Sequence, residues 1–408
     1  MTAREYPVFT VTPKAERSLR AGHPWVYGEE VTAVEGAYQN GDMVDVVSNK
    51  GRYLGTGWVN DHSKIRVRII SRNANDTFDE AFFRRRVCYA LNYRKTVMGS
   101  VDYRCCRLIF GEADQFPGLT VDRFENILVT QVLSLGMERR KDWVYRALVE
   151  LLREDGEQID AIYERNDVAI RTLEGLEQGK GFYQMEGLRT DLSGHVTITE
   201  NRIKYDVDYI EGQKTGFFLD QKYNRQAAAK LARGRRGLDC FTHTGAFALN
   251  AAAAGAEYVT AVDVSAFALE LAAENGKRNG LTNLDYKCAD VFDLLTEMAK
   301  EKKCDYDYII LDPPAFTKSR ATAKNAYHGY KEINMKAMRL LPRGGYLATC
   351  SCSHFMTDDL FQRMLRAAAH DACVSLRQIE ARQQSPDHPI LWNVPETDYL
   401  KFYLFQVV

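Results

Sequence analysis

Three aspartates follow successive strand-like runs in the second half of the chain, and their spacing suits the binding of a nucleoside. Asp239, Asp263 and Asp290 each stand at the end of such a run. A carboxylate about 20 residues after the first strand end is placed to accept hydrogen bonds from both hydroxyls of a ribose. Asp290 could accept from an adenine amino group. Any one of them could instead cap the next helix, but three in register favour a bound nucleoside.

Neighbouring residues extend this candidate pocket. Phe241, Thr244 and Gly245 lead from the first strand into a helix, where small and hydroxyl residues let a ligand approach the backbone. Val264 and Val291 follow the second and third aspartates, and Val291 and Phe292 are expected to pack on the adenine ring. The segment lacks the G-x-G-x-x-G spacing of dinucleotide sites. The whole pattern is typical of a class I S-adenosylmethionine (SAM) methyltransferase.

A glycine- and aromatic-rich segment lies just upstream of the pocket. Residues 211–221 read Glu-Gly-Gln-Lys-Thr-Gly-Phe-Phe-Leu-Asp-Gln. Phe217 and Gln221 are predicted to cover the methionine end of the cofactor. Phe217 and Phe218 could also simply be buried in a strand and turn, and the two roles are compatible.

Two further strand ends carry residues suited to catalysis. Asp312 begins an Asp-Pro-Pro turn, in which prolines remove donors and leave nearby carbonyls free to face a substrate. Cys350 and Cys352 close the next run. A thiolate adds to carbon 6 of a pyrimidine, activates carbon 5 and leaves again. Strand alternation cannot separate two cysteines of the same parity, but Cys352 is favoured because it lies further past the strand.

Regularly alternating elements must position these residues. Strand-like runs occupy 237–241, 258–263, 284–288, 306–311 and 345–350, with helical runs at 245–254, 266–279, 291–302 and 326–341. This alternation predicts βαβ units and a parallel sheet. Ligands of such sheets bind beyond the carboxyl ends of the strands, which is where the candidate residues fall.

The first half of the chain is organised differently. Residues 1–75 contain short strands separated by turn signals, which predicts a small β-barrel with one helix over Pro13 to Ala21. Residues 76–195 are predicted to form a linker helix and a small α+β domain. The last predicted domain spans residues 196–408. The predicted fold class is therefore multidomain α/β.

The linker helix, predicted over about 78–97 with Asn75 or Asp76 as its cap, opens the clearest charge block. From Arg84 to Arg107, seven basic residues stand against one acidic residue. The candidates for contact with RNA phosphates are Arg84, Arg85, Arg86, Arg94 and Lys95. A solvated helix face is the simpler alternative.

Composition excludes several classes of protein. The 408 residues are 45% hydrophobic, too apolar for a disordered or collagen-like chain. A net charge of −1 excludes a uniformly basic nucleic-acid coat, but not a local basic face. Nine cysteines without C-x-x-C spacing favour neither a metal site nor a disulfide framework. Without a signal core or a long apolar run, we expect a cytoplasmic protein with no membrane partner.

Taken together, the chain resembles the family of SAM-dependent ribosomal RNA methyltransferases that carry an N-terminal PUA domain, whose best-known member makes 5-methylcytosine in 23S rRNA. Leu19–Tyr27 resembles the opening PUA motif, while Phe110–Arg123 and Glu164–Asp167 resemble signatures of the central domain. The segment 211–221, the Asp-Pro-Pro turn and the Ser-Cys-Ser around Cys352 complete the likeness.

The resemblance implies a PUA domain, a small central α+β domain and a Rossmann-like methyltransferase domain. The sheet of that last domain would have seven mostly parallel strands, with the last strand antiparallel. SAM is the implied cofactor, large-subunit rRNA or a ribosome assembly particle is the implied partner, and Cys352 is the implied nucleophile. A homodimer is a further prediction.

Two other functions stay open at this point. Asp-Pro-Pro followed by an aromatic resembles the turn that receives the hydrogens of an exocyclic purine amine. Here Ala315 intervenes before Phe316, and that route leaves Cys352 without a role. The second alternative is a non-catalytic RNA-binding assembly factor that keeps the fold.

Overall fold

The computed structural model of the protein describes residues 5–301, 305–317 and 322–408. The chain divides into two compact units. Unit 1 comprises Met1–Ile198, Val207–Leu219 and Pro386–Thr397, and unit 2 comprises Thr199–Asp206, Asp220–Ser385 and Asp398–Val408. Unit 1 thus includes three short pieces of the region predicted to form the last domain, namely residues 196–198, 207–219 and 386–397. The division into three domains stays a prediction.

The first part of unit 1 is a six-stranded mixed sheet with one helix. Its strands, in the order β2-β6-β5-β4-β1-β3, are β1 (Val8–Val11), β2 (Trp25–Tyr27), β3 (Val31–Glu35), β4 (Met43–Ser48), β5 (Tyr53–Val59) and β6 (Ile65–Ser71). Helix α1 (Pro13–Arg20) begins after Thr12, whose side chain accepts from the amide of Ala15. Alternate apolar residues such as Val44 and Val46 close a core around Phe9.

The second part of unit 1 is a five-stranded sheet covered by helices. Its strands, in the order β11-β10-β9-β8-β7, are β7 (Cys105–Phe110), β8 (Leu119–Phe124), β9 (Ile127–Val132), β10 (Ala161–Arg165) and β11 (Lys180–Phe182). The helices are α2 (Glu80–Val97), α3 (Leu135–Glu138) and α4 (Lys141–Glu154). Helix α2 packs against α4. Its cap is Asp79, not the predicted Asn75 or Asp76, because Asp79 Oδ1 accepts from the amide of Phe82.

A two-stranded hairpin, β12 (His195–Glu200) and β13 (Ile203–Asp208), contains the division between the units. The helices of unit 2 are α5 (Lys222–Ala229), α6 (Ala246–Ala253), α7 (Ala266–Arg278), α8 (Val291–Glu301), α9 (Ala323–Leu340) and α10 (Asp358–Ala372). Its strands are β14 (Arg236–Cys240), β15 (Tyr258–Asp263), β16 (Leu284–Cys288), β17 (Tyr308–Leu311), β18 (Tyr346–Ser351), β19 (Leu376–Arg382) and β20 (Lys401–Val407).

The strands of unit 2 form a seven-stranded sheet in the order β16-β15-β14-β17-β18-β20-β19. Strands β14 to β18 are parallel, and β20 runs antiparallel to both of its neighbours. This arrangement confirms the predicted fold class and the strand–helix alternation. The predicted helix over 291–302 ends at Glu301, and residue 302 lies outside the described residues.

Both faces of this sheet are buried. Alternate residues of β17 enter opposite apolar cores, with Ile309 and Leu311 on one side and Tyr308 and Ile310 on the other. A strand covered on both faces shows no polar alternation, so its sequence is a short continuous apolar run. No helix in the described part of the chain is long and apolar enough to cross a membrane.

One side chain of α2 is central to unit 1. Arg94 is 0% exposed and donates to Asp114 Oδ2 at 2.7 Å, to the carbonyl of Arg107 at 2.8 Å and to the carbonyl of Asp387 at 2.8 Å. The guanidinium thus joins a helix, a strand and the Pro386–Thr397 segment. It has no surface to offer an RNA phosphate, which removes it from the predicted contacts.

We expect Arg94→Met to lower the free energy of unfolding of unit 1 by about 3–5 kcal/mol, because it leaves the Asp114 carboxylate buried without its cation. All four tryptophans lie in unit 1, so urea unfolding followed by tryptophan fluorescence measures this unit. The control Lys95→Met breaks a half-exposed pair with Asp155 and is expected to cost about 0–1 kcal/mol. Weaker RNA binding by Arg94→Met at unchanged stability contradicts this assignment.

Candidate active site

The register of the sheet in unit 2 brings the candidate strand ends together. Cys240 at the end of β14 pairs with Val262 of β15 on one side and with Leu311 of β17 on the other. Leu311 in turn pairs with Thr349 of β18. The chain proceeds from β14 towards β16 and then returns to β17, so the topological switch point lies between β14 and β17. Ligands of open parallel sheets bind at this point.

The loop after β14 is tightly wound. Phe241, His243 and Gly245 have φ angles of 63°, 51° and 82°. A side chain at position 245 would bring its Cβ within 2.5 Å of Leu249 Cδ1. Phe241 and Thr244 are half-buried. Strained backbone of this kind is concentrated at functional sites, in agreement with the predicted cofactor loop.

Asp239 has an unpaired carboxylate oxygen in the interior. The residue is 0% exposed, and its Oδ2 accepts from Thr242 Oγ1 at 2.5 Å and from the Ala248 amide at 2.9 Å. No described group donates to Oδ1. Burial raises the pKa of Asp239 to about 7, against the hydrogen bond from Thr242, which lowers it. A buried carboxylate in this state is suited to a ligand that brings a donor or a positive charge.

Asp263 is held in a fixed orientation. Its Oδ2 accepts from the amide of His243 and its Oδ1 from the amide of Ser265, both at 2.9 Å. A carboxylate has about four acceptor positions, so each oxygen can still receive a ribose hydroxyl. Val264 beside it is exposed, on the surface where the prediction places the nucleoside.

Asp290 and Val291 stand at the third strand end, and their predicted contacts with adenine stay a prediction. Asp290 is exposed, and its Oδ1 accepts from the amides of Phe292 and Asp293 at 2.8 and 3.2 Å. It therefore caps α8, which is the alternative that the sequence left open. Val291 is only 3% exposed and packs into the core with Leu295. Phe292, the other residue predicted to pack on the adenine ring, is half-buried, and its ring lies 5.7 Å from that of Phe316.

Asp312 is bound to a residue that the sequence assigned to the cofactor. Gln221 Nε2 donates to Asp312 Oδ1 at 2.9 Å, and Asn224 Nδ2 donates to Gln221 Oε1 at 2.7 Å. Burial and the nearby Asp220 raise the pKa of Asp312 to about 6, while Arg225 and the bond from Gln221 lower it. Gln221 is thus a positioning residue for Asp312. Phe217 lies in unit 1 and is buried.

Cys350 in β18 and Cys352 just past its end have different surroundings. Cys350 is 0% exposed, hydrogen-bonds with Asp312, and has a pKa raised by burial. Cys352 is half-buried, and its Sγ lies 4.0 Å from the carbonyl oxygen of Pro313. Only Cys352 of the pair combines an accessible thiol with a position beside the Asp-Pro-Pro turn.

Lys401 was not predicted from the sequence. It opens β20 opposite Ser351, and its Nζ donates to the carbonyls of Ser353 at 2.7 Å and Tyr399 at 2.8 Å. Burial lowers its pKa to about 8, with the negative charges of Asp398 and Cys352 acting in the opposite direction. The only sign of Lys401 in the sequence is a lysine at the start of an apolar run. That position points to the site only once the pairing of β20 with β18 is known.

The site as a whole suits a cationic nucleoside. The charges of Asp220 and Asp263 add to those of Asp239 and Asp312, whereas Arg225 is paired with buried Glu200 at 2.7 Å. SAM carries a positively charged sulfonium, so these residues fit it. Asp239 and Asp263 are the residues that would hold its polar groups. The described residues contain no cluster of metal-ligating side chains.

Most of the predicted RNA-contacting residues of unit 1 are paired within the protein. Arg84 lies 2.6 Å from Glu150 and 2.8 Å from Glu154. Lys95 pairs with Asp155. Arg86 donates to the carbonyls of Gln115 and Ile70. Arg85 is half-exposed with Asp76 at 3.7 Å, and it is the most available of the set.

We expect Asp239→Asn to flatten the pH dependence of the stability of unit 2. The folded carboxyl, with its pKa near 7, holds a proton that the unfolded chain releases near pH 4. Stability therefore falls as the pH rises between these values, by up to about 4 kcal/mol. Urea unfolding followed by far-ultraviolet circular dichroism between pH 4.5 and 8 measures this. An equal slope of stability against pH in Asp239→Asn and the original protein contradicts the raised pKa of Asp239. The control is Asp285→Asn, which changes an exposed carboxylate.

Sequence comparisons place the chain among known proteins. Residues 9–72 match the family described as PUA-like domain, and residues 183–406 match the family described as S-adenosylmethionine-dependent methyltransferase. A protein of Pseudoalteromonas atlantica named ribosomal RNA large subunit methyltransferase I is 40% identical over 98% of this chain and 99% of its own length. A protein of the same name from Shewanella denitrificans is 42% identical over 95% and 96%.

Structural comparison gives the same architecture. A SAM-dependent methyltransferase structure from Streptococcus mutans has a TM-score of 0.81 at 22% identity and covers 98% of this chain and 100% of its own. A methyltransferase solved with SAH has a TM-score of 0.82 at 21% identity, with 98% and 100% covered. These two likenesses show the fold. With the matched domain and the relatives above, the chain belongs to the S-adenosylmethionine-dependent methyltransferase family and carries a PUA-like domain in its N-terminal part.

Proposed function

We propose that this protein forms 5-methylcytosine in large-subunit ribosomal RNA through a covalent adduct at Cys352. The names of the relatives support ribosomal RNA as the substrate. The observation that carries the chemistry is the position of the accessible Cys352 thiol, 4.0 Å from the carbonyl of Pro313 in the Asp-Pro-Pro turn. Methylation of an exocyclic amine would leave this thiol without a function.

The proposed reaction begins with a cytosine that leaves its stack, because chemistry on a base requires access to its face. The Cys352 thiolate adds to carbon 6 and makes carbon 5 nucleophilic. Bound SAM supplies a methyl group on a sulfonium, ready for transfer. After carbon 5 has been methylated, a base removes its proton, the double bond re-forms and the thiolate of Cys352 leaves.

Asp312 would hydrogen-bond the edge of the cytosine. With a pKa of about 6, both its ionised and its protonated forms are accessible near neutral pH. The ionised form accepts from the amino group of the base, and the protonated form donates to the ring nitrogen on which charge develops. Gln221, held by Asn224, would keep the carboxyl aimed at the base.

Lys401 would act on the nucleophile through position and charge. Its ammonium fixes the carbonyl of Ser353, the residue after Cys352. A nearby positive charge favours the thiolate over the thiol. We also propose that the N-terminal domain holds the RNA, either free or in an assembly particle, and that the protein acts in the cytoplasm. A homodimer stays a prediction.

Incubation with isotope-labelled SAM and unmodified large-subunit rRNA, followed by mass spectrometry of the nucleosides, tests the function. Label in 5-methylcytosine supports the proposal. Label in a methylated purine amine contradicts it and leaves Cys352 structural. No SAM binding in a direct titration would instead support a non-catalytic assembly factor.

We expect Cys352→Ala to abolish formation of 5-methylcytosine, by more than about 10³-fold, while SAM affinity stays within about twofold. The matched control is Cys350→Ala, which removes a buried thiol two residues away and should retain most of the activity. Denaturing gels report the adduct between Cys352 and an RNA that carries 5-fluorocytosine. An adduct that survives in Cys352→Ala and disappears in Cys350→Ala reverses the assignment.

Lys401→Met is expected to move the acidic limb of the pH–rate profile upward by about one pH unit, because the thiol of Cys352 loses a stabilising cation. Exposed Lys230→Met is the control. The rate of alkylation of the peptide containing Cys352, measured against pH, gives the thiol pKa without methyl transfer. If the alkylation rate depends on pH in the same way in Lys401→Met and in the original protein, Lys401 has no electrostatic effect on the Cys352 thiol.

A further inference from the structure

Two segments noted in the sequence have no role in the reaction proposed above, and they meet at one cavity of unit 1. The first is Leu19–Tyr27, which contributes Gly22 and Pro24. The second is Phe110–Arg123, which contributes Glu112, Gln115 and Pro117. The cavity has a volume of about 420 Å³, within the range of small-ligand sites.

Hydrogen bonds hold the two segments in place around this cavity. Trp25 Nε1 donates to Glu112 Oε1 at 3.0 Å. Gln115 adopts a left-handed conformation with φ of 61°, and its carbonyl accepts from Arg86 Nη1 at 2.9 Å. The carbonyl of Gly22 accepts from Arg72. The wall of the cavity is therefore built by specific contacts.

The same contacts place two guanidinium groups in the lining, those of Arg72 and Arg86. A guanidinium has five N–H donors in a planar fork. The bonds to backbone carbonyls orient each fork and use only part of its capacity. Arg72 is also exposed, so it can reach a phosphate at the mouth of the cavity.

A second cavity, of about 450 Å³, shares Arg86 and Gln115 with the first. It runs along α2 and is lined by Arg85, Tyr89 and Tyr93. Tyr89 is 64% exposed. The two cavities adjoin at these shared residues, and we name the surface that they make together the α2 groove. Its walls carry aromatic rings, guanidinium groups and three acidic side chains, those of Asp76, Glu112 and Asp114.

Trp392 stands beside the first cavity, in the Pro386–Thr397 segment of the same unit. Its side chain is 96% exposed, while its neighbours Leu391 and Asn393 line the cavity. The segment is not loose. Asn393 donates to the carbonyl of Gly22, and Thr397 Oγ1 donates to the carbonyl of Val394 at 2.7 Å.

The Trp392 ring is thus an exposed aromatic surface on an ordered segment, and a nucleic-acid base can stack on such a ring. Aromatic rings next to guanidinium groups in a groove are the composition of sites for single-stranded nucleic acid. Glu112 in the wall can accept from the amino group of a base. A protein-binding groove would instead be expected to have a core poor in charge.

We propose that the α2 groove binds a single-stranded segment of RNA, with one base stacked on Trp392 and the phosphates on Arg72 and Arg85. The inference rests on the proposed function for the choice of RNA. It places an RNA contact on unit 1 that is separate from the base that reacts in unit 2, and it replaces the predicted contacts at Arg84, Arg94 and Lys95.

The test measures binding of a fluorescein-labelled single-stranded 12-nucleotide RNA of mixed sequence by anisotropy. Stacking on an aromatic ring contributes about 1–3 kcal/mol per base, so Trp392→Ala should weaken binding by about tenfold. Trp392→Phe should recover most of the affinity. Leu173→Ala, which truncates another exposed apolar side chain of unit 1, should change nothing.

Arg85→Gln adds a second, independent measurement. Loss of one phosphate contact should reduce the slope of log affinity against log salt by about one. Thermal melting of each variant shows that the fold is retained, since all substituted side chains are exposed or half-exposed. Unchanged affinity in Trp392→Ala together with an unchanged salt slope in Arg85→Gln overturns the proposal.

The binding test is independent of the reaction. SAM affinity should be unaffected by either variant, because neither Trp392 nor Arg85 is among the candidate cofactor residues. If labelled rRNA contains a product other than 5-methylcytosine, the proposed function fails while RNA affinity still decides the role of the groove. If Trp392→Ala and Arg85→Gln both behave like the original protein in the RNA-binding test while labelled rRNA contains 5-methylcytosine, the groove proposal fails and the proposed function stands.

Discussion

Burial of carboxylates at the carboxyl edge of a parallel sheet is the constraint on which unit 2 depends. Asp239 is the penultimate residue of β14, and Asp312 follows the neighbouring strand β17. Loss of water and repulsion among the acids raise their pKa values to about 7 and about 6. Such a cluster is unfavourable on its own. A cationic ligand at this edge relieves the repulsion, so the feature that destabilises the empty edge also provides affinity for the cofactor.

The strands and helices of unit 2 could be predicted from the sequence because the patterns that specify them are local. Continuous apolar runs and helical periods predicted β14 to β18 and α6 to α9, and the strand ends then located Asp239, Asp263 and Asp312. An antiparallel last strand was expected only from the resemblance, and the position of β20 between β18 and β19 was not predicted, since nothing near it in the chain reports its partners. Lys401 became informative only once β20 was paired with β18.

Side-chain roles were harder to predict when they depended on distant partners. The basic block of α2 looked available because the sequence does not show that Glu150 and Glu154 of α4 lie beside Arg84, or that Asp114 lies beside Arg94. The difference between Cys350 and Cys352 was also hidden in the sequence. Both occupy positions of the same parity along an extended chain, but Cys350 is buried and Cys352 is half-buried. A block of basic residues in a sequence therefore indicates that a surface could bind phosphates. The ion pairs formed in the folded protein decide which of these residues are still available.

The Pro386–Thr397 segment also affects the order in which the protein can fold. Arg94 and the amide of Arg107 in unit 1 bind Asp387, at separations of 293 and 280 residues along the chain. During synthesis, domains generally fold from the N terminus as they emerge. Here the interior of the first unit stays incomplete until residue 387 has been made, with buried donors awaiting their acceptors. The newly made first half is therefore expected to wait in a partly assembled state, in which chaperones and proteases can act on it before the last contacts close.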